Sequence, residues 1–236
     1  EKEIIKSGIV SKQQLSNLKA HLYKQILISL RLNPAHKNIR IQIREQLDFA
    51  TVLYQKGLYK QSLKLLDKAK TFALENEEKN IAYEIVELEK VIETQFITRS
   101  LSNRADQLSE QAKTLSQQNV IASKLSNLSL QLYSHLLQNG YVKNNEELEF
   151  INSYFYSKLP KYDFNTFGFR EKLWLYKSHL WFSFLTQDFL QSYKYAKKWV
   201  GLFQENKKLI ALHPVFYLKG KNYLLEASFF VKKIST

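Results

Sequence analysis

Five histidines, His21, His36, His135, His179 and His213, are the first residues to weigh for metal binding or proton transfer. None has a second His, Asp or Glu three or four residues away, the step that sets two ligands on one helix face. Carboxylates gather at Glu84, Glu87 and Glu89 and again at Glu146, Glu147 and Glu149. At helical spacing the first set reads as a solvated surface and the second as a solvated first turn, where negative charge suits the helix dipole. The chain has no cysteine, so thiolate chemistry, disulfides and Cys-ligated zinc are excluded. No glycine-rich phosphate loop and no Gly-x-Ser-x-Gly elbow is present. An acid, a base, a nucleophile and an oxyanion donor cannot be assembled from these residues. The expectation is a protein that is not an enzyme and uses no metal or cofactor.

The other constellation is basic. Lys194, Lys197 and Lys198 alternate with Tyr193, Tyr195 and Trp199, and Lys207 and Lys208 follow one turn later. Lysines neutralise phosphates and aromatic rings stack on unpaired bases, so a nucleic-acid-binding patch is one reading. Two features weigh against it. These aromatics also fit a buried helix stripe, and Arg104 and Arg170 are the only arginines after residue 100, although arginine is the forked phosphate contact. The formal net charge is +13, and it is uneven: residues 101–160 hold 5 basic and 5 acidic groups, whereas residues 161–236 hold 13 and 5. Such a field steers anionic partners, or simply keeps the protein soluble.

These side chains need elements to hold them. The chain has 236 residues, 44% of them hydrophobic, with 6 glycines and 3 prolines, too few breakers for a sheet-rich fold of this length. Ser11 and Gln14 have the spacing of a capping box, and Leu15, Leu18, Leu22, Ile26 and Leu30 then mark one helix face that ends before Pro34. Further helices are predicted over 39–55 and 59–75, and then around Ile81 to Ile92. The stripe from Leu101 to Leu136 reads as one long helix or two split near Asn119. Gly140 stops it, Asn144 or Asn145 caps a short helix ending at Leu159-Pro160, and residues 160–168 form a connector. Asn165 or Thr166 then starts a helix to Leu185, another runs from Asp188 to Gln204, and the last begins at His213-Pro214. The expectation is an all-α fold of stacked antiparallel helical hairpins with about nine helices, an array over 1–159 continued by 160–236. No apolar run is long enough for a membrane span. Glu1 in place of Met fits a trimmed start, and the absence of cysteine fits a cytoplasmic setting.

Within 39–75, Ala50, Leu53, Gly57, Tyr59, Ser62, Leu66 and Ala69 fall at intervals that let two helices nest: small residues at the crossing, large ones in the groove, glycine at the reversal. Tyr176, Leu180, Ser183, Phe189, Ser192, Ala196 and Trp199 repeat those intervals, with Gln187 in place of the turn glycine. Phe216, Gly220 and Tyr223 make half a unit, as the end of an array or as part of a longer one. On these residues the chain resembles the tetratricopeptide-repeat superfamily over about a third of its length. The stretches LYQKGLYKQSLKLLDKAKTFA and LWLYKSHLWFSFLTQDF are also similar in style to large helical-repeat proteins of Bacteroidetes-type bacteria. The resemblance implies a scaffold that holds a protein or peptide segment against the first helix of each hairpin. Carried over, that face is Arg44, Leu47, Thr51, Tyr54 and Gln55 in one repeat and Trp174, Lys177, Trp181, Phe184 and Leu185 in the other. The competing reading makes the second, aromatic set part of the core.

Overall fold

The computed structural model describes residues 11–32, 38–95, 103–161 and 164–234. Pro34, His36, Arg99, Leu101 and Thr236 lie outside them. Ten α-helices and one short 3-10 turn make up the described residues, with no strand among them. They are α1 Lys12–Leu32, α2 Ile39–Gln55, α3 Tyr59–Glu75, α4 Lys79–Gln95, α5 Arg104–Asn139, α6 Asn145–Lys158, α7 Phe169–Leu185, α8 Phe189–Glu205, α9 Lys208–Leu212 and α10 Pro214–Ile234. From Arg104 onward the stripe is thus a single helix, and α9 is an element that the sequence pattern did not separate. The chain divides into two compact units, Glu1–Gln42 and Ile43–Thr236, and the connector after Pro160 is not a unit boundary. No helix is long and apolar enough to cross a membrane among the described residues.

In the first unit α1 opens on the expected capping box. The Ser11 N–H donates to Gln14 Oε1 at 2.8 Å, and the Gln14 N–H donates to Ser11 Oγ at 3.2 Å.

In the second unit three reversals share one geometry. At Gly57, Glu77 and Gln187 the backbone turns left-handed, with φ of 76°, 59° and 59°. Each is a Schellman closure. The Leu58 N–H donates to Leu53 O, Glu78 to Ala73 O and Asp188 to Ser183 O, all at 2.9 Å. Only the first uses glycine, so Glu77 and Gln187 carry a conformational cost of about 1 kcal/mol each. Helices α2 and α4 begin forty residues apart, because each 17-residue helix is followed by a three-residue turn. That is longer than the 34 residues of a tetratricopeptide unit.

Within the second unit, α2 and α3 meet at Ala50 and Ser62. Ser62 is fully buried and its Oγ donates to Ala50 O at 2.7 Å, which requires both positions to be small. Packing then proceeds along the chain: α3 on α4, α4 on α5, α5 on α7, α7 on α8 and α8 on α10. Two buried charge clusters tie the first part together. Lys70 reaches Glu89 at 2.5 Å, and Arg104 reaches Glu89 and Asp67 at 3.4 Å and Glu93 at 3.6 Å. Glu89 is therefore not on a helix surface with Glu84 and Glu87: it is fully buried, and burial pushes its carboxyl upward against the pull of Lys70. Lys79 and Glu171, both buried, pair at 3.3 Å across 92 residues and pin α4 to α7. Gly168 lies against this pair, where a Cβ would collide with Lys79 Nζ.

Candidate binding groove

Three helices run parallel along one side of the second unit. On α5 and α7 the neighbours are Asn119 with Arg170, at 3.3 Å, and Tyr133 with Trp181, whose ring centroids are 4.6 Å apart. On α7 and α10 they are Trp174 with Phe216 at 5.9 Å and Trp181 with Tyr223 at 4.8 Å. Ser178, fully buried, donates to Leu125 O at 3.0 Å and sets the distance between α5 and α7.

Each helix presents one face. Arg170, Trp174, Lys177 and Trp181 stand at steps of four, three and four on α7, and Ser116, Asn119, Ser123, Ser126, Leu130 and Tyr133 stand at steps of three and four on α5. Between them lie two cavities. One, of about 510 Å³, takes in Asn80 and Tyr83 of α4, the Ser/Asn row of α5, Arg170 and Trp174. The other, of about 420 Å³, is walled by Tyr133, Trp174, Trp181 and Tyr223, with Trp199 of α8 and the two lysines Lys177 and Lys219. They share Ser126 and Trp174, so they form two compartments of one groove. No Asp or Glu lines either compartment.

The electrostatics follow from that composition. The Lys177 ammonium lies 4.1 Å from the Trp174 ring centroid, 5.3 Å from Phe216 and 5.5 Å from Trp199. Cation–π attraction holds it there without a counter-ion. Burial, helped by the neighbouring Lys219 charge, lowers its pKa to about 8. Trp199 is fully buried and its indole N–H has no hydrogen-bond partner among the described residues. Gly220 suits this arrangement: a Cβ there would stand 3.0 Å from Trp199 Nε1, a contact tight enough that the ring or α10 would have to give by a few tenths of an ångström.

The sequence-predicted residues divide among three places. Trp174 and Lys177 are half-buried and line the groove. Trp181 is only 5% exposed, Phe184 3% and Leu185 fully buried, so these three belong to the core, covered by Tyr133 and by α10. Trp181 alone of the three also borders the cavity. The other predicted set turns toward α4. Arg44 pairs with Glu84 at 3.4 Å, the Tyr54 hydroxyl bonds Gln95 Oε1 at 2.5 Å, Thr51 Oγ1 donates to Leu47 O, and Leu47 is buried. Gln55 is exposed. The structure does not bring the two sets into one site.

The basic residues Lys194, Lys197, Lys198, Lys207 and Lys208 are all exposed, away from the groove. Lys198 lies over Tyr176 and Tyr195, and Tyr195 is stacked on His179 at 4.2 Å. Burial and the charges of Lys198 and Lys194 lower the His179 pKa to about 4, leaving it neutral at pH 7.

Sequence reasoning missed Arg170 and Lys219 as groove cations and the Ser/Asn row as a lining. The available signal was a spacing: Trp174 to Phe216 and Trp181 to Tyr223 are each 42 residues, the offset at which α10 repeats α7. No protein-family model, curated protein or solved structure matches the chain.

Proposed function

We propose that this protein is a non-catalytic binding scaffold, and that the groove between α5, α7 and α10 holds an extended segment of a protein or peptide. The observation that carries the reading is the two-compartment groove itself. A row of serine and asparagine side chains offers both donors and acceptors to a peptide backbone, while the aromatic end offers contact area for a side chain. The lining carries Arg170, Lys177 and Lys219 and no carboxylate, so an acidic segment is favoured. The tetratricopeptide resemblance supports the same role, and the cysteine-free composition goes with a reducing, cytoplasmic setting.

The alternative, nucleic-acid binding through Lys194, Lys197, Lys198, Lys207 and Lys208, is weaker. The rings beside these lysines are already stacked on protein groups. It requires affinity that falls steeply with salt.

Selection from a random peptide library tests the proposal. The chain should enrich a defined set of peptides. Ser123→Arg, an exposed change that fills the polar compartment, should weaken their binding at least tenfold with an unchanged circular dichroism spectrum. Enrichment that is the same for wild type and Ser123→Arg contradicts the groove as the binding surface.

A further inference from the structure

We infer that the aromatic compartment of the groove is a seat for a carboxylate carried on an aromatic group, with Lys177 and Lys219 as its polar partners. This rests on the groove being a binding surface and adds the chemistry of what enters its deep end.

The reasoning is a count of donors and acceptors. Lys177 and Lys219 are donors only. No carboxylate lines the compartment beside either lysine. A desolvated donor left unmet is costly, so an occupant that brings acceptors is favoured there. An occupant that brings a negative charge recovers more, because Lys177 is desolvated and has only ring faces for company. A cationic occupant is excluded by the same two lysines.

The walls choose the rest of the molecule. Tyr133 is tilted against Trp181 at 4.6 Å, Tyr223 meets Trp181 edge-on at 4.8 Å, and Trp174 closes the side toward Arg170. At about 420 Å³ the compartment suits one ring system and a short acidic arm. Phosphate is a poorer match, since no arginine reaches this compartment to make the forked contact.

Two sources supply this chemistry: a free aromatic acid, or an acidic residue next to an aromatic one in a bound segment. The full chain is titrated by calorimetry with indole-3-propionate and with its amide. A parallel arm uses the capped peptide acetyl-Gly-Phe-Glu-Gly-amide and its Glu-to-Gln counterpart. At pH 7 at least one acid should bind tenfold or more tighter than its neutral partner, and Lys177→Met should erase that preference. Above pH 8 affinity for the acid should fall, and binding there should take up a proton. The other titratable groups at this site are Lys219 and Tyr223 on α10 and Tyr133 on α5; burial raises the Tyr223 pKa, which keeps its hydroxyl neutral over this range. Binding of the free acid assigns the first source; binding of the peptide alone assigns the second. Equal binding of acid and amide in both arms, or a preference that survives Lys177→Met, overturns the seat. Should library-selected peptides still bind in a Ser123-dependent way while ignoring that substitution, the seat fails and the groove stands.

Discussion

The two ends of α5 treat buried charge in opposite ways. Near its start, Arg104 closes a cluster in which Lys70, Asp67, Glu89 and Glu93 leave few charges unmatched. Toward its far end, α5 faces Lys177, which is half-buried among rings in a compartment whose lining holds no carboxylate. Both regions pay for desolvation, but only the first recovers it inside the chain. A charge that is matched internally stabilises a particular packing of helices. An unmatched one lowers stability, and what it gains is an unfilled capacity to bind. That contrast separates framework from site in a molecule whose sequence shows no catalytic signature.

The contrast can be broken from either side. Removing Glu89 should have the largest effect, because Lys70 and Arg104 would stay buried with weaker partners. Glu89→Ala should cost about 3 kcal/mol or more of unfolding free energy in urea titration. A loss below about 1 kcal/mol would mean that the cluster is wet and contributes little.

At the other end the sign should reverse. The fall of the Lys177 pKa from 10.5 to about 8 corresponds to roughly 3 kcal/mol of net penalty on the charged form, of which the shorter methionine gives back about 1 kcal/mol in lost packing. Lys177→Met should therefore stabilise the protein by about 1–2 kcal/mol at pH 7. The penalty is whole below pH 8. Between pH 8 and 10.5 the folded lysine has lost its proton while the unfolded one keeps it, so wild-type stability gains with rising pH and the advantage of the variant shrinks. Denaturant melts at pH 7 and pH 9.5 check both points; a destabilised variant at pH 7 would show that Lys177 is matched after all.

The smallest expected effect sharpens the comparison of the reversals. Gln187→Gly relieves the left-handed backbone but gives up the side-chain bond to Val142 O at 2.9 Å. A net gain of about 0.5 kcal/mol is expected from thermal unfolding. A net loss would give the Val142 bond the larger share.

The sequence carried the fold well, because nesting helices need small residues at fixed steps, and Ala50 with Ser62 meet as that spacing requires. Capping chemistry was equally readable: Asn144 accepts from the Glu147 N–H at 2.8 Å, and Gly140 closes α5 with φ of 77°. Burial of charge was not readable. Glu89 sits beside Glu87 and Glu84 in a pattern that looks solvated, and its partners Lys70 and Arg104 come from other helices. The groove was legible in part. Trp174 and Lys177 were found from one helix face, but whether Trp181 and Phe184 stood open depended on where α10 lies. That position turns on Gly220 meeting Trp199, a contact between helices that no local pattern encodes.

The pH titration of the Lys177 side chain, followed by NMR of its Nζ and Cε in the isolated chain, tests the central claim most directly. The account predicts a midpoint near 8, set by burial among Trp174, Trp199 and Phe216 with Lys219 nearby. A midpoint at 10 or above would mean that Lys177 is solvated or paired, and the site built around it would not exist.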